Sequence, residues 1–401
     1  MFSIKKTIIT GLACAMLIPG TAFAEGFGIV EWSAEGVAMG GARMFAEDDP
    51  ANIAYNPASI TKVKGMGWKS GAVYISPHGS YKAYDAAGSL LESGRNVVNP
   101  GILPYFYYVD QIDEKQWFGI GSFVRFGMIS EFGKDSIVST NAYFSELKGM
   151  SITPTFAWKP SEKISAAVGA EINYVGLELQ KRASALGGIE TTTKGESIAL
   201  GWNAAVNYVF DDKNEVGLVY RSKIKHTMDA DFKSALISTG AHGTVTLPDS
   251  YSLGYNHRFD EKTRLELQTT YTRWSTYDKL LMKFDELLPP SNDAKNWSNG
   301  WRYAIGMERK LSDKYTLLAG FAYDESAIPD EHADFMIPTG ARRTYSIGGQ
   351  YHDEKQTLTL SLGHLDIGAK DICAKPGDAF TRTHTYDNYA KVVAVGYERK
   401  F

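Results

Sequence analysis

The residues with the means to do chemistry are few and poorly placed for catalysis. Eight histidines are scattered between His78 and His384 without the spacing of metal ligands. No serine sits in a Gly-x-Ser-x-Gly elbow, and no His-Glu-x-x-His pair occurs. Cys14 lies in an N-terminal apolar stretch, which leaves Cys373 alone and no internal disulfide framework. No enzyme, metal or cofactor is expected. What remains is the chemistry of binding and of backbone shape. In Asn56-Pro57-Ala58 the proline fixes φ and biases Asn56 toward extended geometry, a rigid corner or an ordinary Asn-Pro turn. Phe27 stands between Gly26 and Gly28, whose torsional freedom would let the ring move. Gly119, Gly121 and Gly127 punctuate residues 118–127, with Phe126 beside the last. Glycine within a strand marks a bulge, a bend or a close approach, though barrel curvature alone would also use it. Arg342 and Arg343 end a loop that contains Pro329 and Pro338. Arg342 could point inward to meet a carboxylate, or both could sit on a solvated rim.

Some element must hold these residues, and the chain's patterning says which. The 401 residues are 44% hydrophobic and 12% aromatic, with 23 Tyr and 39 Gly. A mean hydropathy of −0.24 is too polar for a bundle of membrane helices. Residues 1–24 read as a secretory signal: Lys5 and Lys6, a largely apolar run, then Ala22-Phe23-Ala24 for cleavage. Beyond them no apolar run is long enough for a membrane helix. The net charge of −4 gives no reason to expect nucleic acid. From Trp68 onward apolar and small or polar residues alternate. Leu358, Leu360 and Leu362 oppose Thr357, Thr359 and Ser361, the period of a half-buried strand. Short polar turns take turns with longer loops at 131–148, 181–195, 278–296, 327–341 and 366–382. That parity belongs to outer-membrane barrels. About fourteen strands are expected. The last carries Tyr389, Val393, Val395, Tyr397 and a terminal Phe401 on one face, an ending similar to the signal read by the bacterial barrel-assembly machinery. Lys391 and Arg399 interrupt that face. Residues 25–66 lack the alternation and are expected to plug a barrel formed by 67–401, giving an all-β transmembrane antiparallel β-barrel with an N-terminal hatch.

With plug and strands in view, the chain resembles the FadL-like outer-membrane transport family, which moves long-chain fatty acids and other hydrophobic compounds. The resemblance rests on Gly26-Phe27, Asn56-Pro57-Ala58 and 70–75 near the start. It continues through 271–275, 301–306 and 321–326, then Ile328-Pro329, Ile337-Pro338 and Arg342. It implies a fourteen-stranded barrel with a hatch, a capture groove in the outer loops, an inner apolar pocket, and a kink in the third strand opening sideways to the membrane. By the same resemblance Asn56, Pro57 and Ala58 form the hatch motif and Phe27 is the hatch-tip aromatic. Gly119, Gly121, Phe126 and Gly127 fall at the kink. No Lys or Arg stands near residues 174–177, where the fatty-acid member carries one, so uncharged cargo stays open. The expected surroundings are outer-membrane lipid and lipopolysaccharide, with long loops extracellular and both termini periplasmic. The expected function is passive transport of a fatty acid or other hydrophobic molecule, with hatch movement and lateral release. A general diffusion porin and a non-transporting adhesin or receptor barrel are the alternatives.

Overall fold

The structure, a computed structural model, describes residues 26–285 and 288–401; the expected signal segment lies outside the described residues. Fourteen antiparallel strands form the wall. The first six are β1 (Met66–Tyr84), β2 (Gly101–Gln111), β3 (Gln116–Glu131), β4 (Phe144–Ser161), β5 (Ile164–Ala183) and β6 (Ile189–Asp211). The next four are each interrupted: β7 (Asn214–Arg221, Ile224–Ser234), β8 (Ser238–Leu247, Ser250–Arg258), β9 (Thr263–Thr272, Lys279–Phe284) and β10 (Ser291–Ala294, Gly300–Lys310). The rest are β11 (Tyr315–Asp324), β12 (Arg342–His352), β13 (Gln356–Ile367) and β14 (Arg382–Lys400). β14 pairs with β1 from Gly67 opposite Lys400 to Tyr84 opposite Arg382, which closes the cylinder. Closure leaves no strand without a neighbour on either side, which matters because each unpaired backbone group in hydrocarbon would cost several kcal/mol. No helix among the described residues is long and apolar enough to cross a membrane, and the crossing belongs to strands.

The alternation sorts as period 2 requires. Leu358, Leu360 and Leu362 face outward, each about half exposed, while Thr357, Thr359 and Ser361 are buried. Lys391 lies at the outer margin of the band, its Nζ 5.9 Å from the Tyr389 ring. Arg399 lies at the other margin, its guanidinium 5.4 Å from the Phe401 ring. Both reach along aromatic rims and keep their charge out of the apolar band.

The region at 181–195 differs from its reading as a long loop. β5 runs through Ala183 and β6 starts at Ile189, joined by a tight turn with Gly187 and Gly188 at positive φ. Its polar composition marks strand beyond the membrane rather than loop. β6 has 23 residues, about 75 Å of strand, far more than the band requires. Its outward face turns from Ile198 and Leu200 to Lys194 and Glu196, where the apolar band ends.

Residues 26–63 lie inside the wall. They fold as α1 (Ala34–Ala38), α2 (Asn52–Tyr55) and a 3-10 turn at Pro57–Lys62. Almost every side chain from Ser33 to Thr61 is buried. Ser33 caps α1, its Oγ accepting from Gly36 N at 3.0 Å. Gly40 and Gly41 turn the chain at positive φ against β11, where a Cβ on Gly320 would lie 2.1 Å from the Met39 carbonyl carbon. Among the described residues, the plug fills the part of the lumen that a general porin would leave to water.

Candidate functional site: the plug seam, the aromatic box and the gap in the wall

The Asn56-Pro57-Ala58 corner has the geometry its proline demands. Asn56 is extended (φ −153°, ψ 96°), and its Oδ1 accepts from Ala58 N at 3.2 Å. Its Nδ2 donates to Asn207 Oδ1 on β6 at 2.6 Å, and Asn207 Nδ2 donates to Ser59 Oγ at 2.9 Å. The corner is thus both a cap for the 3-10 turn and a rivet to the wall. Arg221 of β7 donates to the Ile53 and Ala54 carbonyls, buried acceptors near the C-terminal end of α2.

A second seam is ionic, and the sequence reading did not find it. Lys69 of β1 contacts Asp49 (2.6 Å), Glu398 (2.9 Å) and Glu35 (3.1 Å). Arg43 contacts Glu308 (2.9 Å) and Asp49 (3.0 Å), and Arg264 reaches Glu308 at 2.7 Å and pairs with Glu266. Glu266 also accepts from Met44 N at 2.7 Å. The chain of charges crosses between wall and plug at Lys69, which meets Glu35 and Asp49, and again where Arg43 meets Glu308. Ion pairs so deeply buried hold through geometry, because removing one partner strands the other without water. The signal in the sequence was a lysine on the inward face of β1 between outward Trp68 and Ser70 neighbours, and an acidic plug turn, Glu47-Asp48-Asp49, with Arg43 just before it.

Phe27 is buried in a box of rings. Trp274 lies 4.8 Å away, Tyr277 and Trp297 each 5.6 Å, and Phe126 6.0 Å, centroid to centroid. The box exists because strands break. Residues 273–278 interrupt β9 and supply Trp274 and Tyr277; residues 295–299 interrupt β10 and supply Trp297. Arg342 turns inward and its Nη2 donates to the Gly26 carbonyl, while Arg343 turns outward toward Asp366 at 3.4 Å.

The irregularity in the third strand falls at Arg125, where the register with β4 shifts between Val124 and Phe126. A bulge puts two consecutive residues on one face, and Arg125 and Phe126 are both buried. The Arg125 guanidinium crosses to Glu171 on β5 (3.0 Å) and to the carbonyls of Ser222 (3.4 Å) and Pro248 (3.2 Å) at the breaks in β7 and β8. Gly127 lies just past the bulge, against Ile29. Gly119 and Gly121 lie below it in regular pairing, and their missing side chains admit the plug: a Cβ at Gly119 would be 2.7 Å from Ile53 Cδ1.

Beside the bulge the wall is not fully laced. β2 and β3 pair only from Phe106 opposite Ser122 to Gln111 opposite Trp117. Residues 101–105 and 123–131 face each other without a ladder. The plug tip occupies part of this gap: Gly28 bridges Phe126, Ile29 N donates to Arg125 O, and Gly127 N donates to Phe27 O, each at 3.0 Å. Below the box lies a cavity of about 50 Å³ lined by Trp32, Arg125, Arg221, Gln268 and Trp274 among others. Its size and partly polar lining suit one or two waters, and it has no room for an acyl chain while the tip is in place.

Comparison with known proteins agrees with this architecture. Residues 15–401 match the profile described as outer membrane protein transport protein (OMPP1/FadL/TodX). The chain is 28% identical to outer membrane protein P1 of Haemophilus influenzae over 447 residues, covering 96% of each. It is 25% identical to the long-chain fatty acid transport protein of an Escherichia coli O6:H1 strain, covering 91% of each. In fold it is similar to a Pseudomonas aeruginosa FadL homologue (TM-score 0.84, 17% identity, 94% of this chain and 100% of that one). It is also similar in fold to the P. putida toluene transporter TodX (TM-score 0.70, 17% identity, 94% and 99%).

Proposed function

We propose a function from one premise: the chain belongs to the OMPP1/FadL/TodX family of outer membrane transport proteins, and so resides in the bacterial outer membrane. Its task is the passive transfer of a hydrophobic molecule across that membrane. Cargo is captured at the outer loops and passes to the box now filled by Phe27. It leaves sideways between β2 and β3 when the tip of the hatch withdraws. The observation that carries this reading is the seat of the tip, which lies at once in the aromatic box and in the unlaced part of the wall.

Physical chemistry makes such a route useful. Each methylene removed from water is worth about 0.8 kcal/mol, so a tail with about ten buried methylenes gains roughly 8 kcal/mol in an apolar site. That captures it and also holds it. Release then requires the site to change shape, and the smallest movable part is the Gly26-Phe27-Gly28 tip. Arg342, freed from the Gly26 carbonyl, would meet the polar head of the cargo. Asn56, Pro57 and Ala58 anchor the hatch body while the tip moves, and the bulge at Arg125, with Phe126 and Gly127, frames the exit. A side exit keeps the cargo in lipid throughout.

The fatty acid named for the E. coli relative and the toluene named for the TodX structure set the range of cargo to be tried. Cells with and without this protein are compared for uptake of labelled oleate and of toluene. Faster uptake of either by the protein-bearing cells is expected, and equal rates for both remove hydrophobic transport as the function. Proteoliposomes should not swell in small sugars; rapid swelling would favour the diffusion porin.

A further inference from the structure

We infer that the hatch tip is a built-in copy of the cargo, and that the preferred cargo is an aromatic ring joined by a short saturated spacer to a carbonyl or carboxylate oxygen. The inference rests on the transport reading above and narrows it to a substrate class.

The ring half of the copy is Phe27. Four aromatic side chains surround it, with ring planes inclined at 56° to 89°. Edge-to-face contacts of this kind stabilise an aromatic ring beyond simple area burial, and they do so for no alkyl chain. The box is built from breaks in two wall strands and a bulge in a third. An apolar slot for a straight chain would need none of them.

The oxygen half is the Gly26 carbonyl. It accepts from Arg342 Nη2, and the N, Cα and Cβ of Phe27 separate that carbonyl carbon from the ring. A free acid with the same spacing is 4-phenylbutyrate. The surroundings hold more donors than the tip satisfies. Arg342 Nε and the indole Nε1 of Trp274, whose Cζ2 edge lies against Gly26, are buried without a hydrogen-bond partner among the described residues. No carboxylate there pairs with Arg342. A buried donor without an acceptor costs about 1–3 kcal/mol, so a guest with a second oxygen is favoured over the peptide carbonyl it replaces. A bare hydrocarbon leaves the donors empty, and a long acyl chain leaves the ring edges without a partner.

The test is calorimetric titration of the purified full-length protein in dodecyl maltoside with four probes: 4-phenylbutyrate, 4-cyclohexylbutyrate, butylbenzene and decanoate. The expected order places 4-phenylbutyrate about tenfold ahead of each of the others, the effect of one ring-edge set or one charge-assisted hydrogen bond. Arg342→Gln should bring the affinities for 4-phenylbutyrate and butylbenzene level with each other in that variant, and a preference for the acid that survives the substitution overturns the oxygen half of the inference. Phe27→Ala should bind 4-phenylbutyrate more tightly than the wild type, because the internal competitor is gone. Equal affinity for the phenyl and cyclohexyl acids overturns the inference, as does decanoate binding tightest; either leaves hydrophobic transport standing. Weaker binding to the Phe27→Ala protein also overturns it, since the ring would then belong to the site instead of standing in for the guest. Transport itself fails separately, by equal uptake in cells with and without the protein.

Discussion

Lys69 shows what a single side chain does in this barrel. It stands on β1 among buried neighbours and holds Glu35 and Asp49 of the plug against Glu398 of the wall. Lys69→Met keeps most of the apolar stem and removes the charge. It leaves three carboxylates facing one another, and breaking such a set costs about 3–5 kcal/mol. The wall does not depend on it. The heat-modifiable band of the folded barrel should therefore persist on gels, while trypsin gains access to Arg43; a variant whose plug stays protected would show that the ionic seam is dispensable. Asn56→Ala should act in the same direction but less, about 1–2 kcal/mol for the lost cap and wall contact, read as faster hydrogen exchange confined to residues 52–62. At this scale the sequence was partly legible. Asn56-Pro57-Ala58 announced a rigid corner because proline restricts its own φ and its neighbour wherever it stands. Lys69, Arg43 and Glu308 did not announce which charges they meet, because the pairs that tie plug to wall join residues far apart in the chain.

Among the elements, the interrupted strands carry the site. Continuous β9 and β10 would present alternating side chains and no box; the breaks let Trp274, Tyr277 and Trp297 turn together. The wall's alternation was readable because each strand reports its own two faces, as at Leu358, Leu360 and Leu362. The breaks were not, since a tryptophan in a strand and one in a break look alike in sequence. Polar β-strand beyond the membrane, as in the upper part of β6, also reads as loop, because neither of its faces touches lipid. Gly121 was visible as a departure from strand composition, but its reason lies in its inward neighbours: a Cβ there would be 2.9 Å from both Ile53 Cγ2 of the plug and Tyr107 Cδ1 of the wall. Gly121→Val should lower the midpoint of thermal unfolding of the plug, and adding Ile53→Ala should restore part of it; a double variant as unstable as the single one would place the strain wholly at Tyr107. The outer loops form another element with a measurable property. Lys295 lies between Asp334 and Asp293, the latter at 2.8 Å, and Lys375 reaches the same two carboxylates at 2.9 and 2.6 Å. Burial alone would raise the Asp334 pKa, but Lys295 and Lys375 together hold it well below the usual carboxylate range. A carboxyl depressed in the folded state stabilises above its unfolded pKa and loses that contribution as pH falls through the folded value. The staple should therefore be constant from pH 8 to pH 5 and weaken only below about pH 4. Limited proteolysis of residues 327–341 checks this, and Asp334→Asn should expose them at pH 7.

For the whole molecule, a wall closed by β1 and β14 and a filled lumen mean that the proposed transfer needs a moving part. The parts that stay are those with the deepest attachments: the ionic seam, the Asn56 corner and the Ile53 contact. The tip has fewer, a single backbone bridge to β3, the Arg342 hydrogen bond and the ring contacts of Phe27. The bridge offers a direct lock. Gly28 and Phe126 lie directly opposite each other between two ladder hydrogen bonds, the close type of antiparallel pair with Cα atoms about 4.5 Å apart. That spacing suits a disulfide. In a Cys373→Ser background, Gly28→Cys with Phe126→Cys is assayed for uptake of the transported probe, once reduced and once oxidised in the same cells. The account predicts that oxidation abolishes uptake and that reductant restores it. Uptake that continues unchanged with the tip bound covalently to β3 would contradict it.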